Sequence, residues 1–254
     1  MATVGLLHPG EMGTALAVAL RGRKHEVLWA SSGRSDATRT RAEAAGITDV
    51  GSAAALAERS DVILSVCPPH AAPEVARSTH GARGLFVDAN AIAPETTRAI
   101  AAEQGTSRFV DGGIIGPPPL GSATTRLYLS GESADTVAEL FDQTQVDARV
   151  VSSSIGDASA LKMVYAAWTK GTAALLLAIN AVASAEEVAE PLLEEWRLSL
   201  PELPERLARA RRSADAKGWR WVGEMEEIAA TFAAAGLPDG FHRAAADVFR
   251  QSPK

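Results

Sequence analysis

Val4-Gly5-Leu6-Leu7-His8-Pro9-Gly10-Glu11-Met12-Gly13 is the stretch that decides the fold. An apolar run breaks into a turn at His8, Pro9 and Gly10, and a helical pattern starts at Glu11. A strand running through a glycine turn into a helix start suits a dinucleotide pyrophosphate. The turn must be tight, one glycine admits the phosphates to the backbone, and another lets helix and strand pack. The helix N-terminus then supplies partial positive charge. In the G-x-G-x-x-G register, Gly10 and Gly13 fill the second and third places, and His8 stands in the first as a turn residue.

Outward from that turn, short apolar runs alternate with helical stretches to about residue 155. Strands are expected at 4–7, 27–30, 61–66, 85–88, 108–111, 125–130 and 149–152. Helices are expected at 11–21, at 36–45 behind a Ser35 cap, from Pro94, and at 133–144. This is the pattern of a doubly wound α/β sheet of the Rossmann type. Beyond Ile155 the alternation stops. Asp157 can cap a long helix reaching about Ala189, and Pro191, Pro201 and Pro204 punctuate shorter helices after it. The expected organisation is a dinucleotide-binding domain over 1–155. An all-α substrate and dimerisation domain follows over 156–254, its long interdomain helix at 157–189.

Composition narrows the function classes. The 254 residues carry a net charge of −6 with no basic block, so the footprint of a general nucleic-acid binder is missing. One cysteine excludes an intrachain disulfide framework and a multi-cysteine zinc site, and no other metal set is apparent. Hydrophobic residues at 46% and charged residues at 22% are ordinary globular usage. The start of the chain lacks a secretion signal, and the apolar stretch 171–183 is too short to span a bilayer, so no membrane role and a cytoplasmic location are expected.

The second strand should end near the adenine ribose. Ser31, Ser32 and Arg34 stand there, with no carboxylate before Asp36. Hydroxyls and a guanidinium suit a 2′-phosphate, so NADP is expected over NAD. Cys67, Pro68 and Pro69 close the next strand on the nicotinamide side, with Cys67 expected to pack rather than react, and His70 to be a loop or helix-start residue.

The order of motifs resembles the β-hydroxyacid dehydrogenase superfamily, which includes the 3-hydroxyisobutyrate and 6-phosphogluconate dehydrogenases and the imine reductases. Pro9-Gly10-Glu11-Met12-Gly13 matches its phosphate loop. Asp88-Ala89-Asn90-Ala91-Ile92-Ala93-Pro94 stands for D-x-S-T-x-x-P, and Asp111-Gly112-Gly113-Ile114-Ile115-Gly116 for D-A-P-V-S-G. Gly156-Asp157-Ala158-Ser159-Ala160-Leu161-Lys162 stands for G-x-G-x-x-x-K. The tail around 218–227 is similar to a branch with a phosphogluconate-dehydrogenase-like C-terminal domain.

The resemblance implies that Lys162 is the general acid/base, and partial burial beside a cationic nicotinamide would lower its pKa to suit. It also implies that Gly10, Glu11, Met12, Gly13, Ser31, Ser32, Arg34, Cys67, Pro68, Pro69 and Asn90 line the cofactor. Asn90, Ala91, Gly113, Ile114, Ile115, Gly116, Tyr165, Ala166 and Lys170 would line the substrate. Departures matter here. The family's asparagine one turn after the lysine is Ala166, and its two loop serines are Asn90 and Ile115. The proton carrier is kept while the grip on a small carboxylate has changed. Lys162, Ala166 and Lys170 fall along one helix face, so Lys170 could hold an anion.

Trp219, Trp221 and Met225 are spaced for a helix face that packs in a core or between protomers. Glu224, Glu226 and Glu227 read as a solvated acidic face, and His242 as structural. The expected activity is NADP-dependent hydride transfer to or from a hydroxyl-bearing carbon of a small molecule, by a homodimer. Alternatives are an imine reductase on the same fold, a non-catalytic NADP sensor or scaffold, and a decarboxylating sugar-acid dehydrogenase. The retained lysine speaks against the imine reductase.

Overall fold

The apolar run that opens the chain becomes β1 (Thr3–Leu7), and the glycine turn feeds α1 (Glu11–Gly22) in the computed structural model, which describes residues 1–252. Seven further strands join it: β2 (Glu26–Trp29), β3 (Thr48–Asp49), β4 (Val62–Ser65), β5 (Leu85–Asp88), β6 (Phe109–Ile115), β7 (Thr125–Ser130) and β8 (Val146–Ser152). Their order in the sheet is β3-β2-β1-β4-β5-β6-β7-β8, and every neighbouring pair is parallel except β6 with β7. The chain turns from one side of β1 to the other between β3 and β4. Ligands of doubly wound sheets bind at such a switch point, beyond the C-terminal strand ends.

Successive strand residues face opposite sides, and both sides are covered here. Leu6, Leu64 and Val87 lie in one apolar cluster, and Leu7, Ile63 and Phe86 in the other. Helices α2 (Asp36–Ala44), α3 (Ala53–Arg59), α4 (Ala72–Arg77), α5 (Pro94–Gln104) and α6 (Ala134–Glu139) complete the α/β part. The Ser35 cap forms as expected, its oxygen accepting from the Thr38 amide.

Several boundaries differ from expectation. β3 and α3 were not foreseen, although the Ser52 oxygen caps α3 by accepting from the Ala55 amide at 3.1 Å. β6 runs on through Ile115, so Gly113 to Ile115 are strand rather than loop. The paired glycines belong in the strand because a Cβ on Gly112 would stand 3.1 Å from the Asp88 carbonyl oxygen.

Helix α7 (Asp157–Ala185) runs unbroken through Gly171, followed by α8 (Ala189–Ser199), α9 (Leu203–Ala234) and α10 (Gly240–Arg250). Helices α8 and α10 are short, as expected, but α9 runs for 32 residues, because Pro204 sits in its first turn, where no amide is needed. At 29 residues, α7 is long and apolar enough to cross a membrane by length and composition alone, which the 171–183 stretch was not. One third of its most apolar window is buried within the protein.

The chain divides into two compact units, Met1–Lys162 and Met163–Lys254. In the second, Leu176, Trp196 and Leu207 form a core cluster, and Trp221 meets Phe249 edge-on at 5.0 Å. His242 is buried with its ring 4.2 Å from that of Phe232, a structural setting as expected.

Candidate active site

The phosphate turn is tight for a stated reason. Gly10 donates its amide to the His8 carbonyl at 2.7 Å, and a Cβ on Gly13 would stand 2.9 Å from that same oxygen. His8 takes φ 74°, the left-handed region that glycine favours. Gly10 is different, because a Cβ there would meet open space. No side chain caps α1. The result is an accessible backbone cradle at a helix N-terminus, and it fits a pyrophosphate. Glu11 is exposed at this rim, Met12 is partly buried, and Gly13 is buried under it.

Arg34 lies in the loop between β2 and α2, its buried Nε without a hydrogen-bond partner among the described residues. Ser32 is exposed beside it. Ser31 is instead buried. Its amide donates to Asp49 Oδ1 at 3.2 Å, and its hydroxyl also bonds this carboxylate. Burial opposes ionisation of Asp49, but the bonds from Ser31 and the Gly51 amide outweigh it and hold the carboxyl below its usual range. Sequence reading missed Asp49 because its strand has only two residues. Its carboxylate nevertheless reaches the end of β2, and it occupies the serine that was expected to bind phosphate.

At the ends of β4 and β5, Asn90 is a latch. Its Oδ1 accepts from the Cys67 amide at 2.6 Å, its Nδ2 donates to Ser65 Oγ at 3.0 Å, and its own amide donates to Asp88 Oδ1 at 3.0 Å. Both ends of the side-chain amide thus serve the protein. Burial, then the Asp88 charge, push the Cys67 thiol up to about 12, so it stays protonated and packs. Pro68 is exposed, Pro69 starts a short 3₁₀ turn, and Ala91 is partly buried.

The second loop motif carries an unforeseen role. Asp111 is fully buried. Oδ2 accepts from the Gly156 amide at 3.0 Å, the Ser159 amide at 2.9 Å and Ser130 Oγ at 2.9 Å, and Oδ1 accepts from Ser159 Oγ at 2.6 Å. It therefore caps the start of α7 from inside the sheet, where the helix dipole favours negative charge. Burial raises its pKa against these bonds.

Two strand positions further, a Cβ on Gly113 would stand 2.7 Å from the Ala158 carbonyl oxygen and 3.1 Å from Lys162 Cβ. The strand and the first turns of α7 are in direct contact there, and Lys162 is pinned against β6. Burial alone lowers the Lys162 pKa to about 8. Ile114 and Ile115 are buried, with Ile114 in the core cluster, and Gly116 is exposed at φ 122°.

Within the second unit, Ala166 is buried and Tyr165 exposed. Lys170 forms an ion pair with Glu224 and stands 5.9 Å from the Trp221 ring centroid. Glu224 is thus not part of a solvated face, unlike Glu226, which pairs with Arg250 at the surface. Among the described residues no cluster of metal-ligating side chains is found.

Comparison with known proteins bears on the family and the fold. Residues 3–91 match the family described as NADP oxidoreductase, coenzyme F420-dependent, and residues 183–252 match a domain of unknown function, DUF1932. The chain is 30% identical over 193 residues to an uncharacterized 28.5 kDa protein of Methanothermus fervidus, spanning 75% of this chain and 74% of that one. A conserved protein of unknown function, whose structure was reported as similar to 3-hydroxyacid dehydrogenases, superposes with TM-score 0.73 at 29% identity, over 98% of this chain and 96% of that one. The 3-hydroxyisobutyrate dehydrogenase of Mycobacterium tuberculosis, solved with L-serine, shares the fold at 16% identity and TM-score 0.73, over 99% and 93%. The chain belongs to the β-hydroxyacid dehydrogenase-like superfamily.

Proposed function

We propose that the protein is an NADP-dependent oxidoreductase that moves hydride between the nicotinamide and a hydroxyl-bearing carbon of a small molecule, with Lys162 as general acid and base. The observation that carries this reading is the lysine itself. It is pinned against β6 at Gly113, and burial brings its pKa to about 8. A lysine near neutrality can take a hydroxyl proton in one direction and return it in the other. The NADP oxidoreductase family match over the first 91 residues and the dehydrogenase relatives support the same class.

When bound, the nicotinamide gives or takes the hydride. The chain's own residues do the rest. Gly10 and Gly13 open the turn to the pyrophosphate, Arg34 meets the 2′-phosphate, and the Asn90 latch holds the β4 end at Cys67 in place. Asp111 fixes the start of α7, and Lys162 holds the mobile proton at Nζ. Lys170 already has Glu224 as its counter-ion, so we leave it out of the substrate contacts. A C=N substrate would arrive at the same ring, but the lysine suits an alcohol proton.

We also propose a homodimer. Tyr165, Trp168, Leu175, Ile179 and Val182 are all exposed along α7, at steps of three, seven, four and three residues that keep them on one helix seam.

The test is titration with NADPH and NADH, followed by turnover of 2- and 3-hydroxy acids and their keto forms. Alcohol oxidation should rise through a pKa near 8 as Lys162 loses its proton, and ketone reduction should fall through the same range. Undiminished turnover by Lys162→Ala would remove the lysine from the chemistry.

A further inference from the structure

The second unit holds a pocket of its own. It lies between α7 and α9 and has a volume of about 310 Å³. Small-molecule sites run from about 300 to 1,000 Å³, so this one suits a ligand built on a single ring. Leu176 and Ala210, both buried, give it an apolar lining. Trp168 and Trp221 add two indoles. Trp168 is exposed, whereas Trp221 is fixed edge-on against Phe249 at 5.0 Å.

Helix α9 supplies the charge. Arg206, Arg209 and Ser213 follow one another at steps of three and four, which puts them on one side of the helix, and all three line the pocket. Arg206 stands over the Trp168 ring, with Cζ 5.8 Å from the centroid. A guanidinium stacked on a ring keeps its in-plane N–H fork free for an acid group. Among the described residues Arg206 makes no ion pair, and the Ser213 hydroxyl has no hydrogen-bond partner. Arg209 reaches only Glu205, at 3.9 Å with both side chains more than half exposed, a weak pair. No carboxylate is among the residues that line the pocket.

Two cations facing one small cavity with no carboxylate in its wall favour an anion inside it. We propose that this pocket binds a small aromatic acid, its carboxylate or phosphate held by Arg206, Arg209 and Ser213 and its ring by Trp168, Trp221 and Leu176. The guanidiniums set the requirement for the acid group, and the indoles set the requirement for the ring. On α7 the pocket residues are centred roughly a third of a turn from Ala166 and Lys170, the stripe that the family resemblance assigns to the substrate. This is a second ligand site, and it stands whether or not the dinucleotide reading holds. Trp168 also belongs to the stripe assigned to the dimer, so the experiment uses the full chain.

The test follows the indole N–H signals of the five tryptophans by NMR during titration with phenylacetate, phenyl phosphate, phenylacetamide and acetate. Trp168→Phe and Trp221→Phe assign the two signals at the pocket. Phenylacetate or phenyl phosphate should shift those two signals and saturate them, with a Kd in the millimolar range or tighter. The tighter of the two identifies the acid group. Phenylacetamide has the ring without the charge, and acetate the charge without the ring. Each should bind about tenfold more weakly than the aromatic acid, or worse. Arg206→Gln should weaken the aromatic acid by about tenfold, and Arg243→Gln, on the exposed side of α10, should leave it unchanged. Thermal melts check that each variant is folded. If Arg206→Gln unfolds, the comparison of acid with amide reads the same requirement on the wild-type chain. No saturating shift up to about 20 mM, or shifts confined to the other three tryptophans, would overturn the site. So would an amide or acetate that binds as tightly as the aromatic acid, or wild-type affinity in a folded Arg206→Gln.

Discussion

Lys162 is an expense in the folded protein. Its pKa falls from 10.5 to about 8, so below pH 8 the folded state holds its proton less readily than the unfolded chain does. The cost at pH 7 is about 3 kcal/mol at most, and it fades as pH rises toward 10.5. Lys162→Met is therefore expected to melt higher than wild type at pH 7, with the gap closing in alkaline buffer, while turnover is lost. Matched melts at pH 7 and pH 10 check this, and a variant that melts lower at both would show that the lysine is not strained. At this scale the sequence was legible where one residue does one job. What could be read was placement: Gly10 and Gly13 lie at the start of α1, and Lys162 in the first turns of α7. It was not legible where a role depends on a distant partner. The carboxylate of Asp49 arrives at Ser31 through folding, and nothing local marks it. The Asn90 amide likewise looks free in sequence and is engaged at both ends in the structure.

Among the elements, the join between β6 and α7 matters most. One buried carboxylate, Asp111, accepts from two backbone amides and two hydroxyls and so decides where the helix begins. Asp111→Ala would orphan several buried donors, each costing about 1–3 kcal/mol, and is expected to destabilise by at least about 3 kcal/mol. Ser159→Ala keeps the amide bond, loses one hydroxyl and should cost about 1 kcal/mol. Chemical denaturation of each variant reads both values, and near-equal losses would mean that the network is redundant. The motif containing Asp111 was visible in the sequence, but its function as a cap was not, because the cap and the capped helix are 45 residues apart at their first contact. Helix α9 teaches a related lesson. Prolines read as breaks are compatible with a helix when they fall in its first turn.

For the whole molecule, the α/β alternation was legible from periodicity alone, because a sheet buried on both faces leaves near-continuous apolar runs. The helical second unit was legible only as helical, since amphipathic spacing does not say which stripe packs inside the chain and which faces out. The exposed stripe on α7 is where this bears on assembly. Leu175→Glu combined with Val182→Glu is expected to give monomers, read by light scattering during size-exclusion chromatography, while the first unit keeps its NADPH affinity. A wild-type chain that elutes as a monomer at high micromolar concentration would reject the dimer.

The glycines of the phosphate turn and of β6 look alike in sequence, but selection should treat them differently. Gly13 and Gly113 are enclosed by backbone, and Gly10 is open. In a library scored for cellular abundance, substitutions at 13 and 113 should be depleted, whereas Gly10→Ala should survive. If the same library is then scored for retention on an immobilised nucleotide, Gly10→Ala should drop out. A position tolerated in the first screen and rejected in the second marks where the chain reserves space for a molecule that is not its own.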